Sequence, residues 1–327
     1  MYQGVNYFAV GSSSDKRDAY IAPPYPATVS GAGVKTFNVN TGIFAVVQAY
    51  GKTMQLTAVS ETGLNIYCVT LNSTRIVNDF PTPTSTPAPT KVPTSAPTSP
   101  TAAPTPVSNH CNLLFSAPNN GLNFLMFGDW GTGNPGQYSV ANQMSVTSLQ
   151  VNATFGISLG DNFYIGSSPA FSPSNDHSGV VNQTDPSWFN KYYNVYTGKG
   201  NQIPWYAVLG NHDYGRYVTG TPTSAKAQID HSKIDKRWNM PDHNFTKTVV
   251  VPGSGGKHLQ LVFIDTPRLS PTDAPGTSVG NVYGITAAKQ ASMQAQHLAW
   301  VKQTLAASTA TWLLVIGHYN SELCIIS

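Results

Sequence analysis

The chain has little charge, few cysteines and no long apolar run. One tenth of its 327 residues are charged, and the formal net charge is +3. That excludes the strong basic field expected of a nucleic-acid binder, and there is no long acidic tail. The three cysteines, Cys68, Cys111 and Cys324, are too few and too scattered for a disulfide scaffold or a cysteine metal site, and at most one bridge is expected. No run is long enough to span a membrane, and the first thirty residues lack the basic stretch followed by an apolar stretch of a secretory leader. Gly, Pro, Thr and Ser supply much of the polarity instead. The length suffices for one substantial core and a smaller second unit.

Three compositional regions follow. Residues 1–80 contain three β-like runs, 42–47, 54–59 and 65–71, separated by turn residues at Gly51-Lys52 and Thr62-Gly63. They hold no histidine and only isolated acidic residues, so a small β-rich unit without chemistry is expected. Residues 81–106 consist almost wholly of Pro, Thr, Ser and Ala, a composition that buries no core and favours extended polyproline structure. At ~3.1 Å per residue such a stretch separates its flanks by up to roughly 80 Å. Residues 81–109 are therefore read as a linker, with a single larger domain over 110–327. Sequons at Asn72, Asn152, Asn182 and Asn244, together with the mucin-like stretch, are the features of a secreted glycoprotein.

From His110 onward strands alternate with helices, which predicts a layered α/β domain. Buried strands are expected at 124–127, 155–159, 205–209, 261–265 and 312–316. Helices are expected over 138–149, with Val140 and Met144 on one face, and over 186–196, with Trp188, Tyr192 and Val195 aligned. A third is expected over 286–307, with Thr286 as N-cap and Leu298, Val301 and Leu305 aligned. Four strands run into polar clusters: Gly128-Asp129-Trp130-Gly131, Gly160-Asp161-Asn162-Phe163-Tyr164, Gly210-Asn211-His212-Asp213 and Gly317-His318. Singly, each is ordinary turn chemistry. Together they place carboxylate, carboxamide and imidazole groups at strand carboxyl ends, where open α/β sheets bind ligands. Loops over 165–185 and 214–252 follow these clusters and are expected to wall the site.

These four blocks, in this order, resemble the purple acid phosphatases among the binuclear metallophosphoesterases. The resemblance covers about residues 122–320 and implies a layered α/β/β/α metallophosphoesterase domain. It implies Asp161 as a bridge between two metals, Asp129 and Tyr164 on the first, and Asn211 and His318 on the second. His212 is implied to contact the phosphoryl group or to protonate the leaving alcohol, with Asp213 beside it as an orienting partner. Many relatives carry Asp-x-His in the first block and no tyrosine in the second; here a phenolate replaces an imidazole, which favours Fe(III), with a divalent Fe, Zn or Mn beside it. Anions from Asp129, Asp161 and Tyr164 leave such a pair cationic enough to attract phosphate. The implied partners are phosphate-ester small molecules or phosphoproteins, with no nucleic acid and no membrane span.

The family's fifth block, Gly-His-x-His, does not follow His318, so the resemblance reads as a domain truncated at its C-terminus. Three readings stay open from sequence: an acid phosphatase acting on monoesters, an impaired remnant or binding protein, and a metal-dependent phosphodiesterase. Two loop features are further expectations. The basic pair Lys236-Arg237 is placed facing the substrate, and His177, His231 and His243 are placed within reach of the site.

Overall fold

The computed structural model describes residues 42–51, 53–63, 65–72, 121–164, 178–214, 225–269 and 287–319. Thr286, His177 and the expected linker over 81–109 lie outside the described residues. Three strands, β1 (Ile43–Tyr50), β2 (Thr53–Ser60) and β3 (Asn65–Asn72), form an antiparallel meander. Four more, β4 (Leu122–Phe127), β5 (Phe155–Ser158), β6 (Trp205–Ala207) and β7 (Trp238–Asn239), run parallel to one another. All seven share one sheet, in the order β3-β2-β1-β4-β5-β6-β7. A second sheet, in the order β10-β9-β8, contains β8 (Phe245–Val250), β9 (His258–Phe263) and β10 (Trp312–Ile316).

The alternation of side chains along each strand sorts the core into layers. On β4, Leu122, Phe124 and Met126 face the second sheet and pack with Leu259, Leu261, Phe263 and Trp312. Leu125 and Phe127 face the opposite way, onto Val140, Ala141 and Met144 of helix α1 (Pro135–Val151). Beyond the second sheet, Val262 and Ile264 pack on Val301 of the long C-terminal helix. Helix, sheet, sheet and helix therefore succeed one another, as the α/β/β/α expectation requires. β4 and β5 are covered on both faces, which is why they read as continuous apolar runs, whereas β8 alternates half-buried and exposed residues.

Helix α1 begins three residues before the expected start. The Asn134 side chain accepts from the Gln137 amide at 2.9 Å, and Pro135 occupies the first turn, where its missing N–H is no loss. The expected helix over 186–196 is instead one α turn, α2 (Pro186–Trp188), followed by a π turn over Phe189–Tyr193. The wider spiral turns Lys191 inward together with Tyr192. Helix α3 (Ala225–His231) follows, and α4 (Ala287–Ala307) matches the third expected helix.

The β-rich N-terminal stretch is present as expected, and its strand β1 pairs antiparallel with β4, from Ala45↔Met126 to Ala49↔Leu122. The pairing keeps faces in register. Phe44 and Val46 join the α1-side core, and Ala45, Val47 and Ala49 join the core between the sheets. β4 gains a ladder partner on an edge that would otherwise present unpaired backbone groups.

All six tryptophans lie beyond residue 110, so their fluorescence reports the segment that follows the Pro/Thr/Ser stretch. Replacing the buried Phe44 by Ala is expected to lower the stability of that segment by about 3–5 kcal/mol, read as a shifted tryptophan unfolding midpoint in urea. An unmoved midpoint would mean that the two segments fold independently.

Candidate metal centre

The polar clusters meet at the carboxyl ends of β4, β5, β6 and β10. Two of their residues hold unusual backbone: Asp129 and Asp161 have φ of 54° and 50°, and Asn152, which caps α1, is the other described non-glycine residue with positive φ. Left-handed backbone at an aspartate is costly enough to persist where surrounding structure enforces it. The enforcement is visible next door. A Cβ on Gly160, itself at φ +94°, would lie 2.8 Å from His318 Cβ, and one on Gly210 would lie 2.2 Å from Asp161 Oδ1. Both glycines let the strand ends approach closely.

Asp161 lies at the centre. Its Oδ1 accepts from the His212 amide at 2.8 Å, and its Oδ2 accepts from the Tyr164 hydroxyl at 2.7 Å. The same Oδ2 lies 3.4 Å from His318 Nε2 and 3.9 Å from His212 Nε2. Tyr164 also reaches Asp129 Oδ1, at 2.6 Å. His318 Nδ1 lies 3.1 Å from the Leu159 carbonyl, an acceptor without a proton, so Nδ1 carries the hydrogen. Nε2 then faces Asn211 Oδ1, at 3.2 Å, and Asp161. Ligand atoms of Asp129, Asp161 and His318 all lie within 4.8 Å of one another. All five residues expected as metal ligands are thus drawn together.

The charged groups in this pocket act strongly on one another. Burial raises the Asp129 carboxyl above its ordinary range, although the His318 charge opposes it. Burial would also raise Asp161, but the charge and hydrogen bond of His318 prevail and hold it at about 2. Burial disfavours the His318 cation, yet Asp161 and then Asp129 push it up to about 10. The Tyr164 phenol is held far above its usual range by burial and the two carboxylates. The Tyr164 phenol stays neutral and donates its proton between the two carboxyls, so the His318 imidazolium is the one positive charge of the group. A di- or trivalent cation among these oxygen and nitrogen donors would fit the same position, displacing the phenol proton and the extra imidazole proton. Asp129, Asp161, Tyr164, Asn211 and His318 are the residues that would hold it.

A second layer fixes the loops. The Asp213 carboxylate is fully buried and accepts from the amides of Gly210, at 2.8 Å, and Asn162, at 2.9 Å, and from Gln228 Nε2 at 2.8 Å. It thereby ties the Gly210 loop to the Asp161 loop, and burial and then the Asp161 charge raise its pKa to about 7. The orienting contact on the His212 ring comes from Ser178, whose Oγ lies 3.1 Å from Nδ1 and 2.9 Å from the His212 carbonyl. The hydroxyl has one hydrogen, shared between the His212 carbonyl and the Phe163 carbonyl at 3.3 Å, both of which can only accept, so toward the ring it accepts from Nδ1–H. His212 Nε2 is left facing the site. Lys191, wholly buried, donates to the Tyr164 carbonyl at 2.6 Å, and Thr266 Oγ1 accepts from the amides of His318 and Tyr319.

Ser178, Lys191, Gln228 and Thr266 carried no recognisable sequence signal. Asn162 did, since it lies inside the second cluster. Other expectations are corrected. Arg237 lies over the Tyr192 ring at 4.3 Å and donates to Gln202 and the Tyr196 carbonyl, and Trp238–Asn239 is the edge strand β7, so the segment serves the aromatic core. His231 stacks on Trp188 at 3.5 Å with both ring nitrogens bonded to Gln183 and Tyr193. His243 bridges Asp265 and Arg268.

Two stacked sheets with metal-ligand clusters at converging strand ends define a metallophosphoesterase. The family model described as "Calcineurin-like phosphoesterase" matches residues 122–324, and the chain belongs to that family. Tartrate-resistant acid phosphatase type 5 of Rattus norvegicus is 29% identical over 221 residues, covering 65% of this chain and 59% of the relative. Purple acid phosphatase 17 of Arabidopsis thaliana is 29% identical over 205 residues, covering 61% and 52%. The chain thus spans just over half the length of these relatives. A solved structure titled "GAP50 the anchor in the inner membrane complex of Plasmodium" aligns at a TM-score of 0.44 and 25% identity, covering 59% of this chain and 53% of that one.

Removing the clamp with Asp213→Ala leaves several buried donors unpaired and is expected to destabilise the chain by about 3 kcal/mol or more, measured by urea denaturation. Ser178→Ala should release the His212 ring. In the metal-free chain, ¹⁵N–¹H correlation of the imidazoles is expected to show His212 with hydrogen on Nδ1 in the parent and mixed tautomers in the variant; an Nε2–H tautomer in the parent would overturn the assignment.

Proposed function

We propose that this chain is an acid phosphatase that hydrolyses phosphate monoesters at a binuclear centre of Fe(III) and a divalent Fe, Zn or Mn ion. The observation that carries this reading is the meeting of Asp129, Asp161, Tyr164, Asn211 and His318, with the His212 ring alongside. The likeness to tartrate-resistant and purple acid phosphatases supports the monoester class. Substrates are small phosphate esters or phosphoproteins rather than nucleic acid, since the charge is sparse.

When bound, the metal pair supplies positive charge to the phosphate oxygens and lowers the pKa of water. The chain's own groups do the rest. Asp161 would be the ligand shared by the two ions, a reading supported by its two oxygens facing different partners. Tyr164 as phenolate supplies the donor that selects a trivalent ion. Asn211, being neutral, adds a ligand without cancelling charge. His212, held by Ser178, aims Nε2 at the pocket, where a protonated ring donates to the departing alkoxide. The four sequons and the mucin-like stretch support passage through a secretory pathway and glycosylation. Among the described residues no helix is long and apolar enough to cross a membrane.

The test pairs metal analysis with hydrolysis of p-nitrophenyl phosphate at acidic pH. The parent chain is expected to bind two metals and turn over. Asp161→Asn should lose at least one metal and reduce turnover about a hundredfold or more. Parent-like rates in that variant would refute the bridging role, and full metal binding without turnover would leave a binding protein instead of an enzyme.

A further inference from the structure

A second cluster of polar side chains lies just past β9, outside the five residues of the metal centre. Asp265 is wholly buried there, and its Oδ2 accepts from the Tyr214 hydroxyl and from His243 Nδ1, the latter at 2.7 Å, with Arg268 Nε 3.5 Å away. A guanidinium has only hydrogens to offer, so His243 Nε2, 2.7 Å from Arg268 Nη2, accepts, and Nδ1 carries the proton given to Asp265. Two arms run from this point to the metal centre. Tyr214 closes the turn that begins at Asn211, its amide donating to the Asn211 carbonyl at 3.3 Å, so its hydroxyl ties that turn to Asp265. The next residue, Thr266, accepts through Oγ1 from the amides of His318 at 3.1 Å and Tyr319 at 2.9 Å, which ties the His318 loop to the same place. The approach needs Gly317, where a Cβ would lie 2.5 Å from Thr266 Cγ2. At the ends of the two arms, Asn211 Oδ1 and His318 Nε2 stand 3.2 Å apart. Asp129 and Tyr164 are held otherwise, through the buried Trp130 and the Lys191 bond to the Tyr164 carbonyl.

We propose, resting on the binuclear reading of the site, that Asp265 and Thr266 form a positioning bracket for the second metal, the one served by Asn211 and His318, and leave the first metal to its own supports. Two ligands carried on separate strand ends must reach one spacing before an ion can use both. The bracket sets that spacing in the metal-free chain by joining the Asn211 turn and the His318 loop to one buried carboxylate and its neighbour. Asp265, Thr266 and Tyr214 are all buried, so they act through the backbone of the ligand-bearing turns. With either arm cut, that turn has to be ordered by the ion itself, and the ordering cost appears as weaker binding of that ion. Outer partners that orient metal ligands typically contribute about ten- to hundredfold in affinity.

The test uses the full chain, stripped of metal, loaded with one equivalent of Fe(III) and titrated calorimetrically with Zn(II). Removing the Asp265 charge would deprive Arg268 of this counter-ion and endanger folding, so each arm is cut by itself, with Tyr214→Phe and Thr266→Val. Each variant is expected to bind Zn(II) about ten- to hundredfold more weakly than the parent, while the Fe(III)-tyrosinate band of the first metal keeps its parent intensity. Unchanged Zn(II) affinity in either variant, or a band lost in step with it, overturns the bracket. A parent that takes up fewer than two metals refutes the binuclear reading instead, and the bracket is then judged in the metal-free chain by amide hydrogen exchange. There Tyr214→Phe is expected to speed exchange in peptides holding Asn211, and Thr266→Val in those holding His318, with the peptide over Asp129–Gly131 unchanged in both. Exchange that is unmoved, or that rises equally in all three peptides, would overturn it.

Discussion

The structure depends on bringing four strand ends to one point and holding a carboxylate there. Asp161 is that carboxylate: it accepts from Tyr164 and the His212 backbone, and His318 lies beside it. Such crowding of charge survives because a second buried carboxylate, Asp213, anchors the loops from beneath. The two aspartates divide the work. One faces the pocket, where its oxygens meet Tyr164, the His212 amide and His318, and the other spends its lone pairs on backbone amides and Gln228.

The aromatic core below the site serves the same end. Trp130 follows Asp129 and is fully buried, with its indole N–H on Ser158 and its ring against Phe163, Tyr196 and Trp205. A left-handed Asp129 next to a wedged tryptophan cannot relax without opening that cluster. Rigidity is therefore built in beneath the ligands, and the sheet that carries them is completed from the other end of the sequence by β1 and β2.

How much of this was legible depended on the range of the interaction. The strands over 124–127, 155–158 and 312–316 and the helix α4 were readable because their patterns are local. The residues that meet at the site were readable because each sits past a strand in a short motif. The partnership of β1 with β4 was not, since a ladder between residues 45 and 126 leaves no periodic trace and the Pro/Thr/Ser stretch looks like a boundary. The π turn at Phe189–Tyr193 was hidden for a related reason: Trp188, Tyr192 and Val195 fit an α pattern, and nothing local marks Lys191 as buried. Ser178 and Gln228 act across the fold, on His212 and Asp213, so their roles emerge only in three dimensions.

Membership of the calcineurin-like phosphoesterases rests on residues 122–324, and the proposal of iron rests on one side chain. Tyr164 lies between Asp129 and Asp161, where a phenolate would bind a trivalent ion directly. The most direct test is the visible spectrum of the purified, iron-loaded chain and of its Tyr164→Phe variant, with metal content measured on the same samples. The account predicts a tyrosinate-to-iron absorption band in the parent that is absent from the variant. A chain that takes up no iron, or a band that persists without Tyr164, would contradict it.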